Sequence, residues 1–179
     1  METNRVPLGD TIIASWRTSC QTTAYLVAHL PAASWNERIP GIPTGTVRTV
    51  AAHLHNSRVG WIRTLGSEHG IRPPARVDRR RVTKAQLLAA LKKSAKGMED
   101  VLRLGIANGG RVPPSKRYVW RNLPLDVGHV LSYFVAHEGH HRGQLALVTR
   151  QTGHRLPRKV TNFLWQWSTM VRQREGPRG

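Results

Sequence analysis

Hydrophobic residues recur at three- and four-residue steps in four long stretches of this chain, and nowhere do they alternate usefully as along a strand. The first stretch runs from about Asp10, read as an N-cap, to His29, with Ile12, Ile13, Trp16, Cys20, Ala24, Leu26 and Val27 in period. It stops before Pro31, and a loop with Pro40, Gly41, Pro43 and Gly45 follows. The second starts near Thr44 or Thr46 and reaches Gly66, on a stripe of Val47, Val50, Ala51, Leu54, Trp61 and Leu65. The third opens on the capping-box string from Thr83 to Gln86 and runs through Leu87, Leu88, Leu91, Met98 and Val101 to about Leu104. The fourth begins after Pro124, with Asp126 in its first turn, and ends at Gln151 with Gly153 as the residue past the cap. A shorter last helix spans Arg158 to Arg174. The pattern predicts one all-α domain over residues 1–179, a four-helix bundle plus a C-terminal helix. Long loops after the first and third helices leave room for crossover connections.

Composition narrows the function classes. The chain has 179 residues, 39% of them hydrophobic, which is enough for a core and too apolar for a disordered polycation. A lone cysteine, Cys20, excludes an internal disulfide framework and a cysteine-based zinc finger. No run of 18 apolar residues and no secretory leader is present, so a cytoplasmic location is expected. Twenty-eight Lys+Arg against 10 Asp+Glu give +18 formal charges. Such a surplus bears on steering and non-specific binding, not on fold. Its densest cluster, Arg72, Arg76, Arg79, Arg80 and Arg81, falls in a proline-containing loop, either simply solvated or contacting phosphate. No recognised nucleic-acid motif accompanies it. A basic bundle that binds nucleic acid or an acidic partner, with any metal only structural, is the competing reading.

The most informative string lies in the fourth stretch: Val135-Ala-His137-Glu138-Gly-His140-His141-Arg142-Gly143-Gln144. His137 and His141 are one turn apart and about 40° apart around the helix, so two imidazoles can grip one ion. The five residues His137 to His141 also fit the zinc-protease pattern, a match that recurs by chance in helical sequence. Both histidines fall on the apolar stripe of Val127, Val130, Leu131, Phe134, Leu145 and Val148, and are expected to point into the bundle. A core pair satisfied by hydrogen bonds is the plain alternative to a metal site. A third ligand is on offer from the second helix. Periodicity mildly favours His55 as the more inward, leaves His53 at the stripe's margin, and does not choose between them. His29, His69, His129 and His154 sit at helix ends or in loops.

The run His137-x-x-x-His141-Arg142-Gly143-Gln144 resembles the hallmark of the DinB-like (DinB/YfiT) bundle proteins. The string from Thr46 to Asn56, followed by Trp61-Ile62, is similar to the family's second helix, and the stretch from Thr152 through Trp167 is similar to the end of one subgroup. The resemblance covers nearly the whole chain. It implies a crossover four-helix bundle, homodimers, and one divalent metal held by His53, His137 and His141, with His53 chosen by its spacing to Trp61. Family members include thiol S-transferases, which makes a small thiol an expected substrate.

Three imidazoles leave a position open for water or substrate and suit Zn²⁺ or Ni²⁺, with iron also compatible. The expected function is a metal-dependent enzyme, a thiol S-transferase or hydrolase, activating a thiol or water. Glu138 and Glu99 are candidate bases, although Glu138 can instead pair with Arg142 one turn on. Arg142 and Gln144 are expected to support a ligand or a partner helix, and Gly143 to allow close packing. Tyr118, Trp120 and Tyr133 are candidates for a substrate pocket or, more plainly, for the core.

Overall fold

Helix ends follow local capping chemistry. The computed structural model describes residues 7–175. Helix α1 (Leu8–His29) starts after Pro7, whose side chain makes no cap hydrogen bond, so Asp10 lies inside the first turn rather than at the cap. There its carboxylate faces the positive end of the helix dipole. Helix α2 (Val47–Leu65) is capped by Thr46 and helix α3 (Lys84–Ala107) by Thr83; each closes a reciprocal capping box, with Thr49 and Gln86 respectively. Helix α4 (Val127–Gln151) is capped by Asp126, whose carboxylate accepts from the His129 N–H at 3.0 Å. Past its end Gly153 takes φ +81°, the left-handed turn a side chain would resist.

The expected last helix is instead two, α5 (Arg158–Phe163) and α6 (Trp167–Glu175). Tight turns break it: Trp165 N–H bonds to Asn162 O and Gln166 N–H to Phe163 O, while the Trp167 indole N–H caps Leu164 O at 3.1 Å. The break re-aims α6, so that Met170 is fully buried and its sulfur accepts from the Thr22 hydroxyl on α1 at 3.4 Å.

Helix α1 packs on α3 and α4, and α2 packs on the same two, so α1 and α2 stand chiefly on one diagonal of the bundle. The chain therefore crosses the bundle between α1 and α2 and again between α3 and α4, as the long loops predict. No strand occurs among the described residues, and no described helix is long and apolar enough to cross a membrane.

The core is divided. At one end Ile12, Trp16, Ile62, Met98, Val130 and Phe134 pack with Tyr118 and Leu123 from the loop before α4. At the other, Leu26, Ala51, Leu54, Leu91, Leu145 and Val148 pack with Val160 of α5. Between the two, each of the four long helices contributes buried polar groups: Ser19, Thr22 and Thr23 from α1, His55 and Arg58 from α2, Ser94 from α3, Glu138 from α4. A polar belt thus crosses the bundle at mid-height, and the candidate site lies on its rim.

Candidate metal centre

The belt is built around one ion pair. Arg58 and Glu138 are both almost wholly buried, with Arg58 Nε donating to Glu138 Oε1 at 2.6 Å and Nη2 2.5 Å from the same oxygen. Arg58 Nη1 donates to Leu91 O at 3.1 Å, and the guanidinium lies 5.1 Å from the Trp16 ring centroid. The other carboxylate oxygen accepts from the Thr23 hydroxyl at 2.6 Å, and Thr23 in turn accepts from Arg142 Nη1 at 2.9 Å. Arg142 also reaches Ser19 and lies 3.7 Å from Glu138. All four helices meet in this network, which closes on itself.

This corrects the sequence reading of α4. The centre of its buried stripe is Glu138, not the histidines; His137 and His141 are half-buried, one step around the helix. Glu138 therefore pairs with Arg58 first and Arg142 second. Glu99, the other candidate base, lies on α3, where Arg17 grips it at 2.7 and 2.8 Å and Arg103 at 3.0 Å, holding its carboxyl below the usual range. Gly143 is exposed, and a Cβ there would meet nothing within 4 Å, so no contact within the described chain calls for a glycine. Burial pushes the Cys20 thiol up, away from thiolate character. Arg58 is the residue sequence reasoning missed. Its signal was present: it continues the α2 stripe four residues after Leu54, as Glu138 continues that of α4 four after Phe134.

On the rim, α2 and α4 bring three imidazoles together. His53 Nε2 lies 3.3 Å from His137 Nε2, which lies 3.2 Å from His141 Nε2. One ligand atom from each of the three can be chosen so that all lie within 4.8 Å of one another, and these residues can hold a metal ion. The donor set fits: nitrogens about 2.0–2.1 Å from a tetrahedral ion stand roughly 3.3 Å apart. Gln144 Oε1 accepts from His141 Nδ1 at 2.7 Å, which leaves the Nε2 lone pair facing the cluster. Burial, then the neighbouring His141 and His137, pull His53 down to about 4; burial also lowers His137 and His141. All three are neutral near pH 7, as ligation requires.

A model described as the DinB family matches residues 1–169. The chain belongs to the DinB family. No curated protein and no solved structure matches it. The ligand set carried over from the DinB resemblance, His53, His137 and His141, is the set the geometry assembles. His55, the more inward residue by periodicity, is indeed fully buried, but it turns to α3 and the segment between α2 and α3, bonding Ser94 Oγ at 3.0 Å and Ala75 O at 2.9 Å. Of the aromatic residues, Tyr118 is core, its hydroxyl donating to Leu123 O at 2.8 Å, and Trp120 is exposed. Tyr133 alone adjoins this DinB site: its ring lies nearly parallel to His137, centroids 6.3 Å apart, with Trp61 edge-on behind it.

Proposed function

We propose that this DinB protein is a metal-dependent enzyme in which His53, His137 and His141 hold one divalent transition metal, zinc, nickel or iron, and a small thiol or water is activated there. The observation that carries the reading is the convergence of three imidazoles, His137 Nε2 lying 3.3 Å from His53 Nε2 and 3.2 Å from His141 Nε2, where burial keeps them neutral. When bound, such an ion lowers the pKa of a coordinated thiol or water and so supplies a nucleophile at neutral pH. Gln144 fixes the His141 ring, and the belt beneath fixes α4 against α2. Tyr133 and Trp61 form an apolar wall beside His137. Glu138 pairs with Arg58 and Glu99 with Arg17, so in this reading activation falls to the ion.

The test is metal content by emission spectroscopy after loading with zinc, nickel or iron and exhaustive dialysis, beside His53→Ala, His137→Ala and His141→Ala. One ion per chain, lost in each variant, supports the reading; retention of no metal by the unaltered protein ends it. Thiol conjugation to a generic electrophile, with and without the metal, then separates transferase chemistry from hydrolysis.

A further inference from the structure

The loop between α1 and α2 folds back on the start of α2. Arg38 and Thr46 form an antiparallel bridge, Ile39 N–H donates to Gly45 O at 2.9 Å, and Val47 N–H donates to Glu37 O at 3.1 Å. Arg38 Nη1 reaches across this loop to donate to Pro43 O at 3.2 Å. Arg48 stands in the first turn of α2 and bonds Asn36 Oδ1 through Nη2. Arg80 comes from the turn before α3, where its N–H donates to Asp78 Oδ1 at 2.7 Å. The neighbouring Arg79 ties that turn to α2 by donating from Nε to Thr49 O at 3.3 Å. Arg38, Arg48 and Arg80, with Pro43 and Thr49, line one cavity of about 290 Å³. Three separate stretches of chain thus bring an arginine to the same concavity.

The charge gathered there is not answered within the fold. Among the described residues, none of the three arginines forms an ion pair. The acids beside them in sequence are placed against other groups, Glu37 at 3.7 Å from His154 and Asp78 at 3.9 Å from Arg81. Arg48 Nε is buried and has no hydrogen-bond partner among the described residues. A buried donor left unpaired is costly, and a ligand in the cavity is one way to meet it. The positive end of the α2 dipole adds to the same field. Uncompensated guanidinium groups around a concave site favour a compact, multiply charged anion, and their planar donors match phosphate oxygens. A cavity of this size admits a small molecule, whereas the phosphates of a duplex lie along its convex outside. Arg80 belongs to the arginine cluster of the sequence, and its company here comes from outside that cluster.

We propose that Arg38, Arg48 and Arg80 form a phosphate-binding site, in which the protein takes up a small phosphomonoester. None of His53, His137 and His141 lines the cavity, so the site is separate from the metal centre and does not depend on the metal reading.

The test is isothermal titration of the full-length protein with methyl phosphate, dimethyl phosphate and a short DNA duplex. Metal is first removed by dialysis, so that phosphate cannot bind an ion at the histidines. The unaltered protein is expected to bind the monoester at least about tenfold more tightly than the less charged diester. R38Q/R80Q is expected to weaken monoester binding about tenfold or more. K92Q/K93Q removes the same charge from exposed lysines of α3 and is expected to change it by less than about twofold. R48K keeps the charge but lacks the Nε–H, and is expected to weaken binding about threefold or more. Far-UV circular dichroism checks that each variant is folded. No binding of methyl phosphate by the unaltered chain, or equal losses in R38Q/R80Q and K92Q/K93Q, overturns the proposal. So does R48K binding as tightly as the unaltered chain. Duplex binding that R38Q/R80Q abolishes, with monoester and diester bound equally, assigns the arginines to nucleic acid and overturns it as well.

Discussion

His137 and Glu138 are neighbours in sequence and opposites in circumstance. Glu138 is almost wholly buried and meets Arg58, Thr23 and Arg142, so its oxygens are met from inside the fold. His137 is half-buried, and its Nε2 faces only other imidazole nitrogens. One rotation of about 100° along α4 separates a polar group that completes the bundle from one that awaits an outside partner. The difference teaches where to look for function in a polar-cored bundle. A buried network that ties the helices to one another maintains the fold, and the less buried cluster on its rim is the place to look for a ligand.

The sharpest way to break this contrast is to remove one side of the buried pair. Glu138→Ala leaves Arg58 charged, buried and unpaired, and is expected to cost about 3–5 kcal/mol in urea unfolding. Replacing both, as Arg58→Met with Glu138→Leu, is expected to recover most of that loss, which a double-mutant cycle measures. The rim should behave in the opposite way. His137→Ala is expected to change metal-free stability by less than about 1 kcal/mol, while saturating zinc at a thousand times its Kd should stabilise the unaltered protein by about 4 kcal/mol and leave the variant's melting unmoved.

A smaller effect tests the link between the two regions. Gln144→Ala frees the His141 ring and is expected to weaken metal binding about 10- to 100-fold in a competitive chelator titration, with little change in metal-free unfolding. The smallest is in pH. His53 takes a proton near pH 6.5 in the unfolded chain and only near 4 in the fold, and His137 and His141 are lowered too. Below about 6.5 the unfolded chain therefore binds more protons, so metal-free stability is unaffected by these groups above that pH and falls as acid is added towards 4. His53→Asn should flatten part of that slope in urea midpoints measured from pH 4 to 8.

Much of the architecture was legible because caps are local. Thr83 marked a helix start and Thr46 was one of two candidates, each through side-chain bonds spanning three residues, whereas Asp126, expected inside the first turn of α4, is its cap. The middle of α1 was not legible from hydrophobicity, because the buried face there is Ser19, Thr22 and Thr23, chosen for Arg142, Glu138 and the Met170 sulfur rather than for apolar packing. Periodicity alone also did not choose between His53 and His55, and the family resemblance supplied His53. A 3.6-residue period ranks residues by depth, and His55 is deeper than His53, but a ligand in a groove belongs at the margin of the stripe. The split between α5 and α6 depends on an indole turning back to cap Leu164, which no period encodes.

The diagonal placement of α1 and α2 has a consequence for how the chain assembles. The helices that lend the imidazoles, α2 and α4, are separated along the chain by the whole of α3 and two long loops, so His53 meets His137 across 84 residues, whereas His137 and His141 meet within one turn. Two of the three donors exist as soon as α4 is helical, and the third arrives only when the bundle shuts. A metal ion captured early by α4 would wait for His53, and its full grip would mark the last act of folding rather than the first.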